Sequence, residues 1–272
     1  LALSLLILIK NTWVYMTECL NHRGPDAEGY FFNNHKAIGL GHKRLSIIDL
    51  SNAANQPMTS HCGRYKMIYN GEVYNFKQIK NQIGIKKWKT NSDSEVILEA
   101  FAEWGIDFVN ELNGMFAIAI YDLQEDKLFL IRDRMGIKPL YYYKNGEDLI
   151  FASEIKAINK LKINKKFNHD SIYAYLHLGY IPANQTIYRN IFKVNPGSYL
   201  IYSKNSFQEK YYWKPENKIL EKTITELNSS KKQLKSLLRD SIKKRLISDV
   251  PIGTFLSGGT DSSIVTALAQ EV

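Results

Sequence analysis

Residues 114–158 read GMFAIAIYDLQEDKLFLIRDRMGIKPLYYYKNGEDLIFASEIKAI. Runs of aliphatic, β-branched and aromatic residues are broken here by the polar turns LQEDK, DRMG and KNGED. That alternation predicts three or four short strands in an antiparallel meander, with Phe116, Ile118, Ile120, Leu128, Leu130 and Phe151 supplying the core. Toward the N-terminus, KAIGLGHKRLSIIDL (36–50) and YKMIYNGEVYNF (65–76) have the same strand character, and Asn70-Gly71 is the kind of pair that closes a two-residue hairpin. Between them and the meander the period changes. In SDSEVILEAFAEWGIDFVNEL (92–112), Val96, Ile97, Ala100, Phe101 and Trp104 recur at helical spacing, Ser92 or Asp93 is placed to cap, and Glu95 supports the first turn. Strands around one clear helix make this part of the chain α+β.

A second composition follows Trp213. KPENKILEKTITELNSS (214–230) is polar, without a dominant period, and reads as a connector. KKQLKSLLRDSIKKRLISD (231–249) then sets Leu234, Leu237, Leu238, Ile242 and Leu246 on one face with lysines and arginines opposite, an amphipathic helix. VPIGTFL (250–256) is nearly all apolar, as a strand buried on both faces of a parallel sheet would be. SGGTDSS (257–263) turns it into a helix, where small residues and unpaired N–H groups suit a phosphate. The bland alternative is a capped turn. The expected division is 1–205, with 1–15 atypical, then a connector over 206–228, then the opening of an α/β nucleotide-binding domain over 229–272.

The chain has 272 residues, 44% of them hydrophobic and 12% aromatic, which fits a globular protein with a sizeable core. The formal charge of +9 is spread over scattered lysines, doublets such as Lys86-Lys87, Lys231-Lys232 and Lys243-Lys244 being the densest. Without a basic stripe interleaved with aromatics, acidic small molecules are the expected partners and nucleic acid is not. Two cysteines, Cys19 and Cys62, have no metal-site or disulfide-framework spacing, so a reducing, cytoplasmic setting is expected. The opening LALSLLILIK is too short to span a bilayer and lacks the features of a signal peptide. A first residue that is Leu and not Met suggests a piece of a longer chain.

HRGPDAEG (22–29), RLSIIDLS (44–51), NQPM (55–58), YNGEVYNF (69–76), SDSEVIL (92–98), LNGMFAIAIYD (112–122), RDRMGIKPLYY (132–142), FASEIKAI (151–158), VNPGSYL (194–200) and VPIGTFLSGGTDSS (250–263) are colinear. In that order, from about Met16 onward, they resemble the glutamine-hydrolysing asparagine synthetases of the bacterial type. The resemblance implies an N-terminal glutaminase domain of the N-terminal-nucleophile class, a four-layered αββα sandwich, followed by an ATP-dependent synthetase domain. Ammonia from glutamine would reach a second site where ATP has adenylated aspartate, and asparagine, AMP and pyrophosphate would leave. The full-length enzyme of this kind allows a homodimer.

The resemblance also implies roles. Arg44 would fork onto the glutamine carboxylate, with Leu45, Ser46, Ile47 and Ile48 beside it; Asp93 would hold the α-amino group, helped by Glu72. Asn70 and the backbone N–H of Gly71 would form an oxyanion hole. Read alone, Asn70-Gly71 is equally a hairpin turn and Asp93 an N-cap. Leu256, Ser257, Gly258, Gly259, Asp261 and Ser262 would surround the phosphates of ATP, with Asp261 toward Mg²⁺. One departure stands out. The family begins Met-Cys-Gly and attacks with its N-terminal cysteine, the free α-amino group acting as base, whereas Leu1 carries no nucleophile. Cys19 reads as a structural thiol in a helix, Cys62-Gly63 as a chance match in a loop. The expectation is a portion of a synthetase making asparagine, with a non-catalytic glutamine-binding module, or a relative amidating another carboxylate such as a sugar acid, as alternatives.

Overall fold

A computed structural model describes residues 12–33, 38–85, 87–163, 165–204, 206–217 and 226–272. Helix α1 runs over 12–18. Strands β1 (Ala27–Asn33) and β2 (Ile38–Arg44) pair antiparallel, and β3 (Met58–Thr59) leads to the long β4 (Tyr65–Val73). Helices α2 (Phe76–Gln82) and α3 (Asp93–Trp104) follow, then β5 (Gly114–Asp122), β6 (Lys127–Arg132), β7 (Tyr141–Asn145) and β8 (Asp148–Ala152). After α4 (Ile155–Ile158) and α5 (His169–Leu178) come β9 (Ile191–Lys193), β10 (Ser198–Ser203) and β11 (Ser206–Tyr211), and last α6 (Leu227–Arg245) and α7 (Thr260–Glu271).

The meander expected over 114–158 supplies four strands that serve two sheets. β5 and β6 lie centrally in the antiparallel order β11-β10-β6-β5-β4-β3, whereas β7 and β8 belong to a second sheet, β8-β7-β9. The period-two alternation of β5 explains the layering. Phe116, Ile118 and Ile120 point to one side and meet Val96, Ile97, Ala100 and Phe101 of α3. The small Ala117 and Ala119, with Leu130 of β6, face the other way and pack with Tyr142 and Val194, where the two sheets meet. Beyond the second sheet, Tyr143 and Ala152 pack on Met16 of α1 and on Ala157 and Ile158 of α4. The result is the αββα sandwich. Each fully buried aliphatic or aromatic side chain contributes about 1.5–3 kcal/mol, so the alternation along β5 and β6 holds both sides of the sheet together. Leu128 and Phe151, expected in the core, are only partly buried at the margin of the inter-sheet cluster.

Four local expectations are corrected. Asn70-Gly71 makes no hairpin, because β4 continues through it and pairs Asn70 with Ala117 and Gly71 with Phe116. The helix over 92–112 ends at Trp104, where Gly105 takes φ 60°, and continues as a 3₁₀ turn. Ser92, not Asp93, is its cap, accepting from the Glu95 N–H. VPIGTFL is not a strand: no described strand lies beside it to complete a ladder, and Phe255 is 99% exposed. The preceding helix begins at Leu227, inside the expected connector, and of its apolar face Ile242 is buried while Leu234 and Leu237 are exposed. Residues 218–225 of that connector lie outside the described residues. Among those described, no helix is long and apolar enough to cross a membrane.

Candidate functional site

A cavity of about 530 Å³ lies where β2, β4, β5 and β8 approach α1. The end of β2 brings in Arg44, Leu45, Ile47 and Ile48; β4 brings Asn70, Gly71 and Glu72; the first turn of α3 brings Asp93. Of the residues expected at the first site only Ser46 is outside the lining, its N–H donating to Asp26 Oδ2 at 2.8 Å.

Asp93 is buried, and its Oδ2 accepts from the Tyr69 hydroxyl at 2.8 Å and the Val73 N–H at 3.0 Å. Burial raises its carboxyl above the usual range, while the Val73 and Tyr69 hydrogen bonds pull the other way. Glu72 is half-buried, and its carboxyl is likewise raised, first by desolvation, with Asp93 adding to it and Lys138 opposing. Two neighbouring carboxyls held above their ordinary values are a place where a cationic ligand group is favoured. The Asn70 amide lines the cavity without a side-chain hydrogen bond among the described residues. Gly71 has a packing reason to be glycine: a Cβ there would lie 2.2 Å from Met115 O and 2.8 Å from Phe116 Cα.

Arg44 departs from its expected geometry. Nη1 donates to Ser51 O and Asn55 Oδ1, both at 2.9 Å, and Nη2 donates to Ile48 O at 3.4 Å and to Asp49 O. The terminal nitrogens are therefore committed to the 45–55 loop, whose inward carbonyls need a buried donor. A two-point fork of Nη1 and Nη2 onto a ligand carboxylate is not the arrangement present; Arg44 lines the cavity and offers it a positive charge.

Sequence reasoning missed three lining residues. His42 donates Nε2–H to Tyr69 O at 3.1 Å, and burial lowers its pKa to about 4, so the ring is neutral at neutral pH. Gln56 accepts from Tyr69 N at 2.6 Å and reaches Ser94 Oγ at 3.4 Å. Together they hold the β4 backbone just before Asn70. Lys138 is the third, presented by a turn that Asp133 ties together through the N–H groups of Met135, Ile137 and Lys138 at 3.1, 2.9 and 3.0 Å. The available signal was the polar residues set beside apolar strand-like runs, His42 in GHKRL, Gln56 in NQPM and Lys138 in GIKPL.

Neither cysteine lines the cavity. Cys19 lies just beyond α1, packed against the cluster of Met16, Tyr143, Ala157 and Ile158, donates Sγ–H to Met16 O at 3.1 Å, and burial raises its thiol pKa. Cys62 is exposed.

At the other end of the chain, Gly259 caps α7 and Gly258 takes φ 83°, a left-handed conformation that favours glycine. Ser257 and Ser262 hydroxyls are 3.0 Å apart, Ser262 and Ser263 donate to Gly259 O, and Asp261 sits in the first turn. The turn leaves the helix N–H groups open, which fits a phosphate. Asp261 is a lone carboxylate, and among the described residues no group of three His, Cys, Asp or Glu is placed to hold a metal ion. That suits Mg²⁺ only as an ion carried largely by phosphate oxygens. Leu256 is 62% exposed.

A family profile for the glutamine amidotransferase domain matches residues 8–213, and one for asparagine synthase matches 233–272. A putative glutamine-hydrolysing asparagine synthetase 2 of Methanocaldococcus jannaschii is 41% identical over 97% of this chain and 55% of its own. Asparagine synthetase 3 of Bacillus subtilis is 36% identical over 97% of this chain and 43% of its own. The chain thus spans about half the length of these relatives. Among solved structures, the glutamine phosphoribosylpyrophosphate amidotransferase of B. subtilis, complexed with ADP and GMP, superposes with a TM-score of 0.52 at 16% identity. It covers 95% of this chain and 61% of that one, a likeness of fold.

Proposed function

Because the chain belongs to the glutamine amidotransferase domain family, we propose that its cavity recognises glutamine and that it is the glutaminase portion of a glutamine-dependent synthetase. The observation that carries this reading is the charge layout. Asp93 and Glu72, both raised, lie with Asn70 and Gly71 on one cavity that also holds the Arg44 cation. The α-ammonium would sit by Asp93 and Glu72, and the α-carboxylate toward Arg44. The side-chain carbonyl would lie against the Asn70 amide and the Gly71 N–H, where negative charge develops when the amide carbon is attacked. In the reaction, a cysteine thiolate adds to that carbon, the C–N bond breaks, and ammonia leaves with the proton taken from the thiol.

Residues of the 272-residue chain supply recognition and oxyanion stabilisation, but neither cysteine reaches the cavity. Calorimetric titration is expected to show glutamine binding, with no ammonia released in a coupled assay. Turnover abolished by Cys19→Ala or Cys62→Ala would overturn this assignment, and absence of binding would overturn the glutamine reading.

In the full-length protein the proposed reaction is amidation of aspartate by that ammonia, with ATP giving AMP and pyrophosphate. Residues 256–262 would hold the linked phosphates and Asp261 would face Mg²⁺. Of the expected boundaries 1–205, 206–228 and 229–272, the first is moved to 213, because β11 pairs with β10 in the six-stranded sheet, and the last part is taken to begin with α6 at Leu227. Residues 251–260 are exposed throughout, so the phosphate turn lacks a covering scaffold and ATP·Mg²⁺ is expected to bind this chain more weakly than about 1 mM. Micromolar affinity that disappears in Gly258→Val would contradict that expectation.

A further inference from the structure

The end of α6 and the residues after it touch the glutamine cavity from outside. The Asp249 N–H donates to Ile47 O at 2.9 Å, and Asp249 Oδ2 accepts from the Asp49 N–H at 2.7 Å. Asp49 holds φ 57°, a left-handed conformation unusual for a residue other than glycine. Its carboxylate is tied to Ser51 N at 3.0 Å, Ser51 Oγ at 2.6 Å and Asn91 N at 2.7 Å. The Arg245 guanidinium stacks 4.6 Å from the centroid of Tyr74, the residue after Val73, whose N–H binds Asp93. Ile247 packs on the same cluster as Ile48. Two edges of the cavity, the 45–51 loop and the end of β4, are therefore held by one short segment that is distant in sequence.

We propose that residues 245–249 are a positioning clamp for the glutamine-facing loop, with Asp249 as its fastening residue, so that glutamine affinity depends on the end of α6 being seated. The inference rests on reading the cavity as a glutamine site. Arg44 transmits the effect. Its guanidinium is bonded to the carbonyls of Ile48 and Asp49, so a loop released at Ile47 and Asp49 also releases the cation beneath the ligand. Because 245–249 lies in the part that matches the asparagine synthase profile, seating of that part would set the readiness of the other.

The test compares Asp249→Ala and Asp249→Asn in the 272-residue chain. Asn keeps an oxygen that accepts from Asp49; Ala does not. In Asp249→Ala, amide exchange at 47–49 is expected to accelerate about tenfold while exchange over 117–120 is unchanged, a local opening and not a global one. Glutamine affinity is expected to fall about fivefold, the size of one hydrogen bond, and Asp249→Asn to restore both readouts. Unchanged exchange at 47–49 in Asp249→Ala, or an equal effect of Asp249→Asn, would overturn the clamp. If the parent chain binds no glutamine, the glutamine reading fails, yet the exchange comparison still decides whether the clamp exists. Should Asp249→Ala not fold, Asp249→Glu, which displaces the acceptor by one methylene, is read in the same way.

Discussion

Gly71→Ala is expected to lower the stability of the chain by about 3 kcal/mol, at the upper end of the usual overpacking cost. The added Cβ would stand 2.2 Å from Met115 O, 2.8 Å from Phe116 Cα and 2.8 Å from Tyr69 Cε2. Two of these are backbone atoms of β5, the central partner of β4, and neither can rotate away. Relief requires β4 and β5 to separate at the Gly71–Phe116 pair, next to the fully buried Phe116 and Ile118. A loss of that size corresponds to a fall in melting temperature of about 6–12 °C for a domain of this length. A variant melting within about 2 °C of the parent would show that the sheet yields there easily. Glycine at 71 is thus demanded by strand packing before any role in catalysis, and its presence alone says little about an oxyanion hole.

That distinction explains what was legible in the sequence. The run around Phe116, Ile118 and Ile120 announced a strand with a core face, while the αββα layering was expected only from the resemblance to the asparagine synthetases. The second face, formed by Ala117 and Ala119, is seen in the structure. What that run could not announce was the change of sheet between Arg132 and Tyr141. Nothing in the run of strands and turns tells whether the next strand pairs with the last or crosses to another sheet. Asn70-Gly71 misled for a related reason, since glycine serves close strand approach as readily as a turn. At the site, residue identities were legible and geometry was not. Arg44 was expected to offer its fork, yet the loop after β2 leaves carbonyls that capture it. His42 and Gln56 act on the Tyr69 backbone, a role invisible without three-dimensional neighbours. VPIGTFL has the composition of a buried strand, but composition does not supply the adjacent strand that would make it one.

In Asp93→Asn, glutamine affinity is expected to fall about tenfold to a hundredfold, the range for losing a charged hydrogen-bond partner, while the chain becomes no less stable at neutral pH. The carboxamide introduced by this substitution retains an oxygen to accept from the Tyr69 hydroxyl and the Val73 N–H, so the local network survives. What disappears is a charge in a site that is 5% exposed, where burial has raised the carboxyl above its ordinary value. A carboxyl with a raised folded-state pKa contributes stability below its unfolded value and loses it as pH rises through the folded value, so ionised Asp93 is a burden at neutral pH. The negative charge in the first turn of α3 and its backbone hydrogen bonds work against this, but the net shift of the carboxyl is upward, so burial outweighs them. Any advantage of the variant should therefore be largest at neutral pH and vanish as the pH drops below the ordinary carboxylate range. Binding runs the opposite way. Glutamine affinity of the parent is present above the raised values of Asp93 and Glu72 and is lost as pH falls through them, at a higher pH than ordinary carboxylates would give. Melting curves and titrations across pH for parent and variant read both effects. A variant that melts well below the parent at neutral pH would mean that the Asp93 charge holds the fold together, and one that binds glutamine like the parent would remove Asp93 from the recognition site.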